Sequence, residues 1–540
     1  MAFLLAVQQK KAGDSNRRPL SLQNLFLKYF NKNLCYTFIK YMQSKNNNYD
    51  LVVLGGGAGG LSTAAGAARF GLKVLLVEKN KLGGDCLWVG CIPSKTLIHE
   101  ADKMRSLGEC GMDIFENIKT EAFQKEYFEK AKDRIKMVQA KIAEHDSAER
   151  FEEMGVRVVN GAASFVNKNT IKVNTNNGEE IFTFKKCVIA TGSCPFVPDI
   201  FKAVKYYTNE EIFDITELPA HLIVIGGGSI GIEIASAFIL LGSKVSIIQR
   251  ESTLMSREEK EVSDFMKAQL TGMGIKVYTN TNILEVKNAS NEISIKFEEV
   301  SSDTNNLEVE KLSVEREVLG SHMFVATGRA FNTEIGLENA NIKYSKKGIE
   351  IDDYLKTTNK NVYAIGDVNG KMLFTHAAGY QAKAVLQNLF TPGLLFFLKK
   401  KSLPEAFPWV TYTYPEVAHV GAYTRDLDMQ KVKYKNYITP LESVDRARTG
   451  KVHKDGFIQI LVGGGGKILG VTIVSPSAGE LITEWVLAIQ YKLPVEAIYN
   501  TVHAYPTLSE LNPRGTFAYM SEKLSPSVQK IVKIIFKVFN

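Results

Sequence analysis

Tyr49-Asp-Leu-Val-Val-Leu-Gly55-Gly-Gly57-Ala-Gly-Gly60 is the stretch whose reading decides the fold. A short apolar run ends in GxGxxG and is followed by the alanine-rich segment 61–70, so it reads as strand, tight turn and helix. Gly55 permits the turn, Gly57 lets backbone approach a pyrophosphate, and Gly60 lets helix and strand close together. The pyrophosphate then rests on the amide-rich, positive end of the helix. A second strand, Lys73-Val-Leu-Leu-Val77, ends at Glu78, 18 residues beyond Gly60, where a carboxylate can accept hydrogen bonds from ribose hydroxyls. Strand, helix and terminal acid together lift the pattern above a generic glycine turn.

The motif recurs. His221-Leu-Ile-Val-Ile leads into Gly226-Gly-Gly228-Ser-Ile-Gly231, then an apolar helix over 232–241 and a strand over 244–248. Two such sites call for two dinucleotides, an arrangement suited to passing hydride from one to the other. The second strand ends differently from the first. Gln249-Arg250 stands where an NAD site wants an acid, with Glu251 next and Arg257 further on. A guanidinium there suits a 2′-phosphate by bidentate bonding, which favours NADPH; Glu251 within reach of a ribose keeps NADH open.

Between the two sites lies Gly83-Gly-Asp-Cys86-Leu-Trp-Val-Gly-Cys91-Ile-Pro93-Ser-Lys95. Cysteines five residues apart near a helix start can meet if the first turn is distorted, and Gly90 and Pro93 make that easier. A thiolate at a helix N-terminus is stabilised by the dipole, and Lys95 adds positive charge one turn later. The alternatives are a structural disulfide or two buried core thiols.

With this spacing on the page, residues from about 48 to 520 resemble the flavin-dependent pyridine nucleotide–disulfide oxidoreductases, which include dihydrolipoamide dehydrogenase, glutathione reductase and mercuric reductase. The resemblance implies an α/β fold: two Rossmann-like dinucleotide-binding domains, for FAD and NAD(P), plus a C-terminal α+β dimerisation domain. The expected divisions are a basic extension 1–47, an FAD domain 48–198, an NAD(P) domain 199–329, a segment 330–402 returning to FAD, an interface domain 403–520 and a tail 521–540. It also implies that Cys91 is the flavin-proximal thiol, that Cys86 meets the acceptor, and that Lys95 lies by the flavin and pairs with Glu233. Ala190-Thr191-Gly192 and Ala326-Thr327-Gly328 follow apolar strands as the family's return crossings do. Thr358, an apolar strand and Gly366-Asp367 match its second FAD motif, with Asp367 on the ribityl chain. A helix beneath the flavin is expected to begin in 374–381. The resemblance further implies a homodimer in which each site borrows residues from the other chain.

The borrowed motif departs from the family. Dihydrolipoamide dehydrogenases and glutathione reductases place His before Pro-Thr; here the stretch is His503-Ala-Tyr505-Pro506-Thr-Leu-Ser-Glu510. A phenol of ordinary pKa near ~10 accepts a proton from a dithiol far less readily than imidazole at ~6.5. His503 is either a back-up base or a local packing residue. Mercuric reductases carry tyrosine at this place, yet no cysteine follows Cys194, so a C-terminal cysteine pair to hand over mercury is missing. The expectation is an FAD-dependent NAD(P)H oxidoreductase passing electrons through Cys86 and Cys91 to a disulfide, metal-ion or quinone acceptor. A dihydrolipoamide dehydrogenase using NAD, with His503 as base, is the alternative; a non-catalytic flavoprotein subunit or redox sensor is the reading from another class.

Composition agrees with a globular protein. At 540 residues, 45% hydrophobic and 23% charged, the chain is too long for one core and too apolar for wholesale disorder. No apolar run approaches the roughly 20 residues of a spanning helix. The net charge of +8 is concentrated at the ends: +7 in residues 1–49 and +3 in 521–540, leaving the body at −2 with no charge case for nucleic acid. The basic N-terminal arm suits a transit peptide, a start placed upstream of Met42, or a genuine extension. The expected location is accordingly cytoplasmic or, with a transit peptide, mitochondrial or otherwise organellar. In the tail, Val528, Ile531, Val532, Ile535 and Phe539 share a helical stripe with lysines elsewhere. That pattern fits membrane-surface contact or, more commonly, packing against the interface domain.

Overall fold

The computed structural model describes residues 47–109, 120–300, 313–452, 454 and 456–539. The basic arm, apart from Asn47, lies outside the described residues. The first sheet is built on Asn48–Leu54, whose Leu51, Val52, Val53 and Leu54 are all buried. A strand buried on both faces reads as continuous apolar sequence, as this one does. It pairs in parallel with Val74–Glu78 on one side and with Gly178–Ile189 on the other. Val156–Asn160 extends the sheet beyond Val74–Glu78, while Thr170–Thr175 and Ala162–Asn167 form an antiparallel meander on the opposite edge. Val362–Ala364 returns from 173 residues downstream of Ile189 to pair in parallel with Gly178–Ile189.

The second sheet repeats the design on a smaller scale, with four parallel strands in the order Lys276–Tyr278, Lys244–Ile248, His221–Ile225 and His322–Val325. An antiparallel three-stranded sheet of Thr281–Ala289, Glu292–Val300 and Ser313–Gly320 is inserted before its last strand. The C-terminal layer is a five-stranded antiparallel sheet covered by the helices Ala478–Gln490 and Leu511–Lys523. Trp485 is fully buried there and donates its indole N–H to Asn512 Oδ1 at 2.8 Å, so its one polar atom is satisfied inside the core.

Both glycine fingerprints sit where strand turns into helix. Gly55 and Gly226 each have φ of 105°, a conformation that L side chains rarely adopt. The helices that follow are Ala58–Arg69 and Ser229–Leu241. One element that sequence patterning passed over is the 23-residue helix Glu121–Ala143, capped by Thr120, whose side chain accepts from Phe123 N. Its Gln139 donates to the carbonyls of Leu87 and Trp88, tying it to the cysteine loop.

Candidate active site

The cysteine loop solves its geometry differently from the distorted single helix expected of it. Cys86 lies in a short helix, Gly84–Trp88, and Cys91 is the first residue of a separate 19-residue helix, Cys91–Glu109. The break falls at Val89-Gly90. A β-carbon on Gly90 would stand 2.8 Å from Asp85 O and 3.1 Å from Cys86 Cα, so only glycine lets the second helix begin this close to the first. Both cysteines are free thiols, Cys86 half-buried and Cys91 exposed.

The two thiols hydrogen bond to each other, and their acidities are driven apart. The bond from Cys86 brings Cys91 down to about 6; the Thr375 hydroxyl 3.5 Å away and the Lys95 charge act the same way, against the cost of burial. Cys86 is pushed far above the ordinary thiol range, first by that same hydrogen bond and then by burial and the Cys91 charge. The reduced pair therefore holds one proton, on Cys86, and one thiolate, Cys91, at the positive end of its helix. Thr375 opens the helix Thr375–Phe390, the element expected to start in 374–381.

Lys95 Nζ lies 2.7 Å from Glu233 Oε2, the partner that the family resemblance implied across 138 residues of sequence. The carboxylate's other oxygen accepts from Tyr412 N at 2.8 Å, and the Tyr412 ring lies 4.6 Å below the ammonium. Burial alone would lower the Lys95 pKa; the Glu233 charge and hydrogen bond outweigh it, and the net direction is upward. Three layers of the chain thus meet around this ammonium. A second network runs behind Cys86. Arg329 donates to Asp85 Oδ2 at 2.5 Å and to Ser193 Oγ at 2.6 Å, and Ser193 in turn donates to Asp367 Oδ2 at 2.6 Å. Burial holds the Asp367 carboxyl above its usual range despite that bond. Arg329, Ser193, Thr375 and Tyr412 were not singled out from sequence. Only the Thr and Arg types beside known motifs hinted at them.

The chain's glycine turns fit the groups that the family resemblance implies. Glu78 at the first strand end accepts from Gly56 N at 2.6 Å and Asn80 N at 2.7 Å, closing the turn at the mouth of the fingerprint. A β-carbon on Gly57 would meet nothing closer than 3.8 Å, and one on Gly228 nothing within 4 Å, so both backbones face open space that a pyrophosphate can enter. A cavity of about 290 Å³ lined by Ala58, Ser62, Gly83, Cys86 and Thr375 joins the first fingerprint to Cys86. Nearby, Gly192 and Gly328 take φ of 71° and 136°, Thr191 donates to Asn332 O, and Gly366 N donates to the buried Gln381. In the second cleft Gln249 Oε1 accepts from Gly227 N at 2.8 Å, the same role that Glu78 plays in the first, but without charge. Arg250 is solvated and paired with Glu251 at 2.9 Å rather than standing alone.

In the borrowed motif both ring nitrogens of His503 are engaged: Nδ1 bonds Thr501 O at 2.9 Å and Nε2 lies 3.0 Å from Glu484 Oε2, with the side chain 8% exposed. Tyr505 is 70% exposed, its hydroxyl donating weakly to Asp445 Oδ2 at 3.4 Å. Glu510 is mostly buried, with Arg514 at 4.0 Å and Oε2 without a hydrogen-bond partner.

Comparison with known proteins agrees with this geometry. Residues 49–382 match the family model for pyridine nucleotide-disulphide oxidoreductases, and residues 407–513 match that family's dimerisation domain. The chain is 30% identical over 471 residues to a mercuric reductase of Staphylococcus aureus, covering 86% of this chain and 82% of that one. It is 31% identical over 470 residues to a dihydrolipoyl dehydrogenase of Geobacillus stearothermophilus, covering 86% and 94%. In fold it is similar to the HOCl-induced flavoprotein disulfide reductase RclA of Escherichia coli, solved as a Cu(II) complex, with a TM-score of 0.73, 24% identity, and coverage of 87% and 99%. Its matched residues, two nucleotide clefts and dithiol make this chain a member of the pyridine nucleotide-disulphide oxidoreductase family, an enzyme that uses FAD and NAD(P)H.

Proposed function

We propose that the enzyme draws electrons preferentially from NADPH and delivers them through Cys91 and Cys86 to a thiophilic metal ion as acceptor. The observation that carries this reading is that, among the described residues, the borrowed motif offers the dithiol no unengaged imidazole: Tyr505 fills the base position, and both nitrogens of His503 are held by Glu484 and Thr501. Reducing a disulfide substrate demands that a side chain take the Cys86 proton before Cys86 can attack. A soft metal ion has no such need, because coordination itself acidifies a thiol and expels its proton.

FAD held along the first fingerprint, by Glu78, Thr191 and Asp367, supplies a two-electron carrier between nicotinamide and disulfide. The chain's own residues do the rest. Lys95, fixed by Glu233, sets a positive charge beside Cys91 and keeps it a thiolate once the disulfide opens. Cys86 retains the proton until an acceptor arrives from the cavity side. Oxidation of the pair back to a disulfide then releases two electrons to the acceptor and the thiol proton to water. The enzyme acts as a homodimer through the domain at 407–513, with Tyr505 and Glu510 of one copy facing the dithiol of the other. For the nucleotide, Gln249 offers no carboxylate to a ribose diol, whereas Arg250 beside it is exposed and can exchange Glu251 for a 2′-phosphate.

A dihydrolipoamide dehydrogenase using NAD is the second reading, favoured by the dihydrolipoyl dehydrogenase relatives. One panel separates the two: the FAD-loaded dimer with NADPH or NADH against Hg(II), Cu(II), a quinone, glutathione disulfide and lipoamide. NADPH-driven metal reduction with little lipoamide turnover is expected. Efficient NAD-linked lipoamide turnover would overturn the proposal.

A further inference from the structure

Residues 526–539 form a helix that the active site does not use. Pro526–Phe539 is 14 residues long, and every residue of it is exposed, among them Ile534 at 61%, Phe536 at 66% and Val538 at 68%. The packing against the interface domain that an apolar stripe usually signals is therefore absent among the described residues. At about 100° per residue, Val528, Ile531, Val532, Ile534, Ile535, Phe536, Val538 and Phe539 sweep an arc of roughly 200°. Lys530, Lys533 and Lys537 crowd into about 60° on the opposite side, and the helix contains no acid.

That distribution distinguishes between occupants. Two paired helices bury a narrower stripe and set acids against bases along its edges. An arc this wide, topped only by lysines, suits a helix half-immersed in a surface of anionic headgroups, with the lysine stems reaching up to the phosphates. The match to the family's dimerisation domain ends at residue 513, before this helix begins. At about 21 Å the helix is too short to cross a bilayer core of about 30 Å, and no described helix is long and apolar enough to do so. A second segment has the same chemistry. Gly393–Leu398 exposes Leu394 at 89%, Phe396 at 63% and Phe397 at 68%, and runs directly into Lys399-Lys400-Lys401.

We propose that the helix Pro526–Phe539 lies in the plane of an anionic lipid membrane and holds the enzyme at its surface, with the 393–401 segment as a second contact. The test is co-sedimentation of the full-length, FAD-loaded dimer with phosphatidylcholine vesicles containing or lacking phosphatidylserine. Binding is expected only with phosphatidylserine present. K530Q/K533Q/K537Q should weaken it about a hundredfold, since each lysine near an anionic surface contributes about a factor of five. Ile531→Asp with Ile535→Asp should abolish it, while F396S/F397S should reduce it, all three variants keeping dimer mass and NADPH-dependent reductase activity in solution. Equal binding to neutral vesicles, or none to anionic ones, overturns the proposal. So does loss of the dimer in the Ile531/Ile535 variant, which would make the helix a contact between copies; unchanged binding of F396S/F397S removes the second contact.

Discussion

Removing one thiol should change the acidity of the other in a way that depends on what replaces it. In the reduced protein Cys91 is brought down to about 6, and its largest support is the hydrogen bond donated by Cys86. A hydrogen bond to a charged acceptor contributes about 1.5–3 kcal/mol, equivalent to about one to two pH units in the acceptor's half-ionisation point. Cys86→Ala deletes the donor, so Cys91 should titrate between about 7 and 8, the remaining depression coming from Thr375, Lys95 and the helix end. Cys86→Ser keeps an O–H in the same place and should leave Cys91 near its starting value. Because the folded-state pKa is depressed, the thiolate is fully present above that value and is lost as pH falls through it. The assay is the pH profile of iodoacetamide alkylation at Cys91 in FAD-free, reduced protein, followed by mass spectrometry of its peptide. Identical profiles for the alanine and serine variants would refute the reasoning and assign the acidity to Thr375, Lys95 and the helix end.

Other expectations concern the pair that holds the layers together, the nucleotide and the acceptor. Glu233→Gln strips the counter-ion from Lys95; with side-chain exposures of 33% and 7% for the pair, the loss should be at the low end for a buried bridge, about 3 kcal/mol by chemical denaturation of the FAD-loaded protein. Gln249→Glu restores an acid at the second strand end and should shift the NADH/NADPH ratio of kcat/KM toward NADH by at least about tenfold, the worth of one charged hydrogen bond. Tyr505→His places imidazole where proton transfer is needed and should raise lipoamide turnover by about a hundredfold, the lower range for general base catalysis. No gain in a folded, FAD-loaded dimer would show that the tyrosine is not what limits that reaction.

The parts legible in the sequence were those encoded locally. A strand, a glycine turn and a helix within 20 residues announce a nucleotide cleft, and Cys86, Cys91 and Lys95 share one short loop. Long-range pairing is different. Nothing near Glu233 says that it meets Lys95; that came only from resemblance to a family. Arg329, Ser193 and Asp85 form one network with Asp367 because the second motif returns to the first sheet, and no periodicity records such a convergence. The two cysteines were expected on one distorted helix, but Gly90 allows two helices instead, a choice fixed by the lack of room for a β-carbon, which would stand 2.8 Å from Asp85 O, rather than by propensity. The tail shows the opposite failure: its stripe was legible, yet the usual meaning of a stripe, core packing, does not hold where nothing among the described residues covers it.

The central claim is that electrons leave the enzyme through Cys86. Stopped-flow mixing of Cys86→Ser with NADPH, then with the metal-ion acceptor that the wild-type enzyme reduces, tests it most directly. The account predicts that bleaching of the flavin by NADPH survives while acceptor reduction is lost. Acceptor reduction at the wild-type rate in that variant would contradict it.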